Sequence, residues 1–406
     1  MIRRKGINVI MKLRKTLIVA LSAMMLASFA VACGEDPTPT PMPRPTATPT
    51  PAPQTVKIGL LSPVTGPIAQ YAPGFEDAGK VAIEELNDTH SGKFVFELII
   101  GDSGCNATQA ATAAQTVIDS GVSAIAGAAC SGATLGAIAV AAPAGVPMVS
   151  YASTSPAITN ADDKGHLFRV VPSDAQQAIG LVSVASDAGA AKPAVLYMTN
   201  DYGSGLGDNF ASNWSGDVCT SIGYDPAEGS YNASTLAQSV IDGGCDSVLL
   251  MSYATDGAAI MEALSAQGFT GKVIGADGVA DAAFVDAFTD TDAVGGLIAT
   301  RPRPGEKSDT KSSFEAAYKA AGGADGAIYT GETYDAIKIA AAAIISGGDI
   351  LAALAKTGVD YAGASGTHTF DANGDVPGTG YEVCQFDGTT FSCPRIWTVD
   401  GGLATK

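Results

Sequence analysis

The sequence predicts an α/β protein built on two doubly wound, mostly parallel sheets. From Val56 onward, short apolar runs rich in β-branched residues alternate with Ala-rich amphipathic segments, and this alternation is typical of parallel sheets flanked by helices. A second series of the same kind begins near Pro172. About 350 residues follow the N-terminal region, which is enough chain for two domains. We therefore expect two lobes, each with its own sheet.

The first series contains the predicted buried strands VKIGLL, FVFELII, VSAIAG and VPMVS, with the helices AGKVAIEELN, TQAATAAQTVID and ATLGAIAVAAPA between them. The second contains the helices DAQQAIGLVSVASDAG, GSGLGDNFASNW and DGAAIMEALSAQG and the strands PAVLYMT, SVLLMSY and KVIGAD. After GGLIATRP come two helical segments, SDTKSSFEAAYKAAG and YDAIKIAAAAIISG. The tail YEVCQFDGTTFSCPRIWTV predicts an antiparallel hairpin with a turn at Asp387-Gly388.

The N-terminal region carries an export signal. Basic residues precede the apolar run TLIVALSAMMLASFAVA, which ends in small residues before Cys33, and this is the pattern of a secretory signal peptide. It resembles a bacterial lipoprotein signal, so we expect residues 1–32 to be removed and Cys33 to carry a lipid. Plain secretion and an uncleaved membrane helix are the alternatives. Met11 is a second plausible start.

Residues 33–54 are rich in Pro and Thr. Repeated proline blocks helix and sheet and favours polyproline II, so this segment predicts a stalk that holds the folded part up to roughly 60 Å from the membrane. An unselected low-complexity segment is the plainer interpretation.

Composition and charge exclude one class of function. The hydrophobic share is 46% and the charged share 16%, as expected of a folded chain with a sizeable core. The net charge is −18, and it falls to −24 when the six basic residues of the signal are removed. So acidic a protein repels nucleic acid, and we expect no nucleic-acid partner.

Six cysteines remain after Cys33, and they fall into three sequence-local pairs. Six cysteines permit fifteen pairings. The nearest-neighbour set closes short loops, and outside the cell such pairs are oxidised. Zinc is the rival interpretation, but the chain has no Cys-x-x-Cys and only three distant histidines. We expect disulfides at Cys105 with Cys130, Cys219 with Cys245, and Cys384 with Cys393.

Specific motifs begin with IGLLSPVTGPIAQYAPG, a buried strand followed by Pro-x-Thr-Gly-Pro and a tyrosine before the first helix. GDSGCNATQA, GAACSGAT, SYASTSPAIT, NDYGSGL and GADGV follow in order. Together these segments resemble the type I periplasmic binding proteins of the leucine/isoleucine/valine-binding family, and the likeness covers the chain from Val56. It implies a two-lobed protein that closes on a free amino acid and delivers it to the permease of an ABC transporter.

The resemblance also implies that the chain crosses between the lobes three times. Lobe 1 then comprises residues 55–171 and 300–376, and lobe 2 comprises residues 172–299 and 377–406. We expect a monomer that is extracytoplasmic and held at the membrane by its lipid.

The resemblance assigns one side of the ligand site to two segments. The segment CSGAT places Ser131 at the N-cap of ATLGAIAVAA. The resemblance implies that its hydroxyl and the N–H groups of Gly132 and Ala133 hold a carboxylate. In SYASTSP it assigns ligand contacts to Ala152, Ser153 and Thr154. Without the resemblance, Ser131 is an ordinary helix cap and the others are turn residues.

The other side of the site is acidic and aromatic. Tyr71, Tyr202 and Tyr253 fall on loops at three strand ends, where a tyrosine offers an apolar wall with a polar tip; singly, each is also consistent with surface packing. Asp277 occupies the position where the family carries an acidic residue, often Glu, that pairs with the ligand ammonium. The shorter Asp277, with Gly132 and Ala133 in place of hydroxyl residues, leaves the exact ligand open.

An enzyme is the first rival function. The chain has no P-loop, no Gly-x-Ser-x-Gly, no His-Glu-x-x-His and no dinucleotide fingerprint, so we expect no catalysis, no cofactor and no metal. The second rival keeps the fold but binds an amide, a urea or a small carboxylate, in transport or in signalling.

Overall fold

The computed structural model describes residues 51–227, 229–324, 327–386 and 391–406. The predicted signal peptide, the predicted lipid site at Cys33, most of the predicted stalk and the predicted turn at Asp387-Gly388 lie outside these residues. Residues from Ala52 onward form one compact unit with two large sheets. Within the described part of the chain, no helix has the length and apolarity that crossing a membrane requires.

The first sheet has five strands in the order β2-β1-β3-β4-β5, and all of its pairs are parallel. β1 lies inside the sheet, and its residues from Ile58 to Ser62 are buried, as expected of a parallel strand covered on both faces. The strands are β1 Gln54–Ser62, β2 Phe94–Asp102, β3 Ala124–Ala126, β4 Met148–Ser150 and β5 Leu167–Arg169.

The second large sheet has eight strands in the order β15-β14-β13-β10-β9-β8-β6-β7. The five strands from β6 to β10 pair in parallel, whereas the tail adds three antiparallel strands beside β10. The strands are β6 Pro193–Met198, β7 Thr220–Tyr224, β8 Ser247–Met251, β9 Lys272–Gly275, β10 Leu297–Pro302, β13 Tyr381–Phe386, β14 Phe391–Thr398 and β15 Gly402–Thr405. A separate two-stranded ribbon pairs β11 Tyr361–Ala362 with β12 Thr367–His368.

Helices cover the sheets. Phe75, Ala78, Ala82 and Leu86 recur at helical spacing and are buried on one side of the first helix. The helices are α1 Ala72–His90, α2 Ala107–Asp119, α3 Ser131–Ala141, α4 Pro156–Thr159, α5 Asp174–Asp187, α6 Asp201–Asn213, α7 Ala233–Asp242, α8 Ala254–Ala266, α9 Ala282–Asp286, α10 Asp309–Ala320, α11 Thr330–Ser346 and α12 Ile350–Thr357. α11 returns late in the chain and packs on α1 and on β3 and β4 of the first sheet.

The chain passes between the two sheets after β5, after β10 and before β13. Two of the expected boundaries shift by a few residues. β10 continues to Pro302, so residues 300–302, assigned above to lobe 1, lie in the eight-stranded sheet. β1 begins at Gln54, so the last residue of the expected stalk lies in a strand.

Three disulfides join cysteines that are neighbours in sequence. Cys105 and Cys130 follow β2 and β3, which flank β1. Cys219 and Cys245 precede β7 and β8, which flank β6. Cys384 and Cys393 link β13 to β14. Each bridge therefore fixes the pairing or spacing of strands within one sheet.

Replacing both Cys219 and Cys245 with Ser is expected to lower the free energy of unfolding by about 3 kcal/mol, because the bridge closes a loop of 26 residues that the unfolded chain otherwise leaves free. Chemical unfolding of the oxidised wild type and of the variant measures the difference. Reduction of the variant should cost less stability than reduction of the wild type. Equal losses would show that this bridge contributes nothing, and non-reducing peptide maps with crossed links would refute the pairing.

Candidate ligand-binding site

The site lies at the point where each sheet reverses its strand order. In the first sheet β1 and β3 are neighbours, with β2 on the outer side; in the second, β6 and β8 are neighbours, with β7 outside. Open α/β sheets bind ligands at such switch points, beyond the carboxyl ends of the strands. The residues that follow these four strands are those around Tyr71, Ser131, Tyr202 and Tyr253. Both switch points therefore contribute to one cleft.

Ser131 begins α3 but does not cap it. The N-cap residue is Cys130, without a side-chain cap bond, and Ser131 is the first helical residue, so the predicted capping role of Ser131 is wrong. The Ser131 hydroxyl is buried and accepts a hydrogen bond from the Ser155 N–H at 3.2 Å. The N–H groups of the first helical turn have no partner within the helix. The end of α3 therefore retains donors that suit an anion.

The segment after β4 is fixed by internal hydrogen bonds. The Ser153 hydroxyl bonds to Thr134 Oγ1 at 2.7 Å and to the carbonyl oxygens of Ala128 and Ala129 at 3.0 and 3.1 Å. The Ser153 hydroxyl therefore stabilises the segment after β4, whereas Ala152 lines the cleft. The Thr154 hydroxyl is buried without a hydrogen-bond partner among the described residues.

Arg169 also fixes the segment after β4, and the sequence motifs did not indicate this residue. Its side chain is fully buried, and Nη1 donates to the carbonyl oxygens of Ser153, Thr154 and Ser155 at 3.3, 2.9 and 3.0 Å. Its Nε donates to Asp375 at 2.7 Å. One guanidinium thus fixes three consecutive carbonyls next to the cleft.

Asp277 follows β9 in the other sheet and is 6% exposed. Its two oxygens accept hydrogen bonds from the hydroxyls of Tyr202 at 2.9 Å and Tyr329 at 2.7 Å. Burial raises the pKa of the Asp277 carboxyl, and the two tyrosine hydroxyls oppose this rise. Asp277 is therefore a buried acid whose ionised form already has two donors.

Tyr329 is a further tyrosine at the candidate site, and the motifs did not indicate it. It precedes α11 with a φ of 58°, a left-handed conformation that is uncommon for a bulky residue. It lies in the segment by which the chain returns to the first sheet, and no described strand ends just before it. The sequence offered one signal for Tyr329, namely its position directly before the helical pattern TGETYDAIKIA.

The three predicted tyrosines converge, although not all on loops. Tyr202 is the second residue of α6, and Tyr253 is the N-cap of α8. Their rings stack with centroids 5.4 Å apart and an interplanar angle of 7°. Tyr71 ends a 3-10 turn, and its hydroxyl donates to Asp281 at 3.1 Å rather than to Asp277.

These groups enclose a cavity of about 40 Å³ between the lobes. One wall comes from the first sheet and α1, and the other from the second sheet. Its lining residues are Ile68, Tyr71, Phe75, Ala129, Cys130, Ser131, Ala152, Tyr202, Tyr253, Asp277, Gly278, Ile328 and Tyr329. The bonds of Tyr71 to Asp281 and of Tyr329 to Asp277 join the two walls, so this is a closed arrangement.

A larger cavity of about 740 Å³ adjoins the first one. Both cavities are lined by Asp277, Ile328 and Tyr329. Arg301, Lys311 and Phe314 line only the larger one. The Tyr329 side chain therefore borders both cavities.

Residues 55–390 match the model of the family described as periplasmic binding protein. The chain therefore belongs to the periplasmic binding protein family, and its fold is that of the type I members. This confirms the resemblance and the fold class expected from the sequence. The family comprises substrate-binding proteins and is not a class of enzymes.

Individual relatives and solved structures are similar to this chain over most of its length. The chain is 26% identical over 342 residues to the Leu/Ile/Val-binding protein BraC3 of Rhizobium johnstonii, covering 82% of this chain and 92% of the relative. The leucine-binding protein LivK of Thermotoga maritima has a structure that matches with a TM-score of 0.76 at 27% identity, over 85% of this chain and 99% of that one. A solute-binding protein of Rhodopseudomonas palustris in complex with 3,4-dihydroxybenzoic acid matches with a TM-score of 0.71 at 23% identity, over 86% and 97% of the two chains, which shows the fold alone.

Proposed function

We propose that this protein binds a small aliphatic L-amino acid between its lobes and delivers it to the permease of an ABC transporter. The observation that carries the proposal is the buried Asp277 carboxylate on one sheet, opposite the N-terminus of α3 on the other. A zwitterion is complementary to this pair, because its ammonium suits the carboxylate and its carboxylate suits the helix N–H groups.

Each polar group of the ligand has named partners in this proposal. The carboxylate lies against the Ser131 hydroxyl and the N–H groups of Gly132 and Ala133. The ammonium lies between Asp277, the Thr154 hydroxyl and the Ala152 carbonyl. Thr154 supports this role, because a buried hydroxyl without a protein partner gains a hydrogen bond when the ammonium arrives.

The apolar part of the ligand faces a wall without charge. Ile68, Phe75 and Ile328 line the cavity together with the tyrosine rings, and this surface suits a branched aliphatic side chain. Relatives named for leucine, isoleucine and valine support the same ligand class.

The binding cycle follows from the position of the two sides of the site. Ser131 and Thr154 follow strands of the first sheet, whereas Asp277 follows a strand of the second. A ligand that touches both sides stabilises the closed arrangement by its differential contacts. The closed monomer, tethered outside the membrane through Cys33, then presents the amino acid to the permease.

Replacing Cys33 with Ser is expected to release the folded protein from the membrane, because the thiol that carries the lipid is gone. Fractionation of cells that express the wild type and the variant measures the change. Unchanged membrane retention of the variant would identify the apolar segment before Cys33 as the anchor instead.

Native mass spectrometry of the purified mature protein tests the ligand class. We expect a bound species with the mass of a small aliphatic amino acid, lost on partial unfolding and dialysis. A bound amide, urea or carboxylic acid without an amine would contradict the proposal and favour the receptor alternative. The fold is compatible with such a ligand, since the Rhodopseudomonas palustris structure contains an aromatic acid.

A further inference from the structure

A second buried acid, Asp174, lies beside the site and takes no part in the contacts described so far. It is the first residue of α5, where the chain enters the second lobe, and its N–H donates to the Thr154 carbonyl at 2.8 Å. The side chain is fully buried, and neither carboxyl oxygen has a hydrogen-bond partner among the described residues. A buried carboxylate without any donor is strongly disfavoured.

Two further buried polar side chains, those of Gln177 and Thr154, also have an oxygen without a hydrogen-bond partner among the described residues. Gln177 lies one turn further along α5, and its amide nitrogen is used by Thr300, which leaves its buried Oε1 without a donor. The Thr154 hydroxyl also has no partner. Thr154 is near enough to lower the pKa of Asp174, although no side-chain hydrogen bond of normal geometry joins them.

A proton on Asp174 would remove the cost of burying a charge without a donor. As a carboxylic acid, Asp174 carries no charge to be buried, and its carbonyl oxygen can accept the Thr154 hydroxyl proton. The Thr154 oxygen then keeps its lone pairs free for a donor from the cleft.

The neighbouring charges favour the same assignment. Asp277 receives two tyrosine hydroxyls, whereas Asp174 receives none. When two carboxyls share a buried site, the one with donors is the more easily ionised. The buried cation Arg169 is engaged by Asp375 at 2.7 Å. Besides burial, Asp277 and Arg169 act on the pKa of the Asp174 carboxyl, and the charge of an ionised Asp174 in turn adds to the effect of burial in raising the pKa of Tyr202, Tyr253 and Tyr381.

We propose that Asp174 is a neutral carboxylic acid that positions the Thr154 hydroxyl to accept the ligand ammonium, while Asp277 supplies the single negative charge. The inference rests on the proposed function for the identity of the ligand. Burial and the charge of Asp277 raise the pKa of the Asp174 carboxyl well above its usual range, in agreement with this state. One net negative charge in the pocket matches one ammonium and disfavours ligands with a second cationic group.

Infrared difference spectroscopy tests the protonation without any ligand. The spectra are taken at about pH 8.5, where ordinary carboxyls are ionised and which is above the pKa values of Asp256, about 6, and Glu332, about 7. We expect the carbonyl stretch of a protonated carboxyl in the wild type and in Asp277→Asn, and its loss in Asp174→Asn. No such band, or a band lost only in Asp277→Asn, would overturn the assignment.

Binding of leucine tests the positioning role. Asp174→Ala removes the partner of Thr154 and is expected to weaken binding by roughly tenfold. Asp174→Asn keeps an acceptor and a donor in the same shape and is expected to restore the affinity to within about threefold of the wild type. An Asn variant as weak as the Ala variant would show that the charge of Asp174 is needed. A wild type that binds no amino acid refutes the proposed function, and the infrared result then decides the protonation by itself.

Discussion

Replacing Asp277 with Ala is expected to weaken the binding of leucine or valine by about thirtyfold or more. Removing one partner of a desolvated ion pair typically costs roughly 2 to 5 kcal/mol, and each 1.4 kcal/mol is about a factor of ten in affinity. Asp277 is 6% exposed and accepts two tyrosine hydroxyls, so the truncation removes a buried, desolvated partner of the ammonium. Titration calorimetry of the wild type and the variant measures the effect.

Asp277→Glu is the matched control, because it keeps the charge and lengthens the side chain by one methylene. We expect it to retain far more affinity than Asp277→Ala, with unfolding temperatures of both variants close to each other. If the Ala and Glu variants bind equally well, the charge of Asp277 is not what holds the ligand.

Replacing Arg169 with Met is expected to lower the free energy of unfolding by about 3 to 5 kcal/mol, as is usual when one partner of a buried ion pair is removed. The side chain of Arg169 is fully buried, and that of its partner Asp375 is 13% exposed. The change also leaves the carbonyls of the segment after β4 without their donor. Chemical unfolding measures the loss.

Arg395→Met provides the comparison for Arg169. Arg395 contacts Asp187 at 2.8 Å, with side chains that are 33% and 50% exposed, and exposed pairs contribute roughly 0 to 1 kcal/mol. Similar losses of unfolding free energy in the two variants would show that the buried pair stabilises the protein no more than the exposed pair does. A ligand affinity that survives in folded Arg169→Met would show that the segment keeps its shape without the guanidinium.

The sequence predicted the central strands because a parallel strand buried on both faces is an uninterrupted apolar run. β6 and β8 are examples, and nearly all of their residues are buried. The elements that escaped prediction lack such a signal. β7, at an edge, alternates exposed and half-buried residues, β5 has three residues and ends in a buried arginine, and α7 and α12 are short helices of 10 and 8 residues.

The site was predictable only where a motif follows a strand. Ser131, Ala152, Tyr202 and Asp277 each follow the end of a strand within a few residues. The parallel sheet brings such positions together. Tyr329 comes from a segment that returns from the other lobe and meets Asp277 across 52 residues. Long-range partners of this kind leave no local pattern.

The buried groups behind the site were missed for the same reason. Arg169 pairs with Asp375 across 206 residues, and the sequence around Arg169 reads as a short apolar run. Asp174 reads as the first residue of an amphipathic helix, where an acid is favoured by the helix dipole alone. Only its burial, with no donor on either oxygen, distinguishes it from an ordinary helix start.

Calorimetric titration of the wild type with leucine and with 4-methylpentanoic acid, which differs from leucine by the missing amine, tests the central claim most directly. The zwitterion site predicts that leucine binds and that the deaminated acid binds at least thirtyfold more weakly, because Asp277 is then buried beside a ligand with no ammonium. Equal affinity for the two compounds would contradict the account and would favour a carboxylate receptor on the same fold.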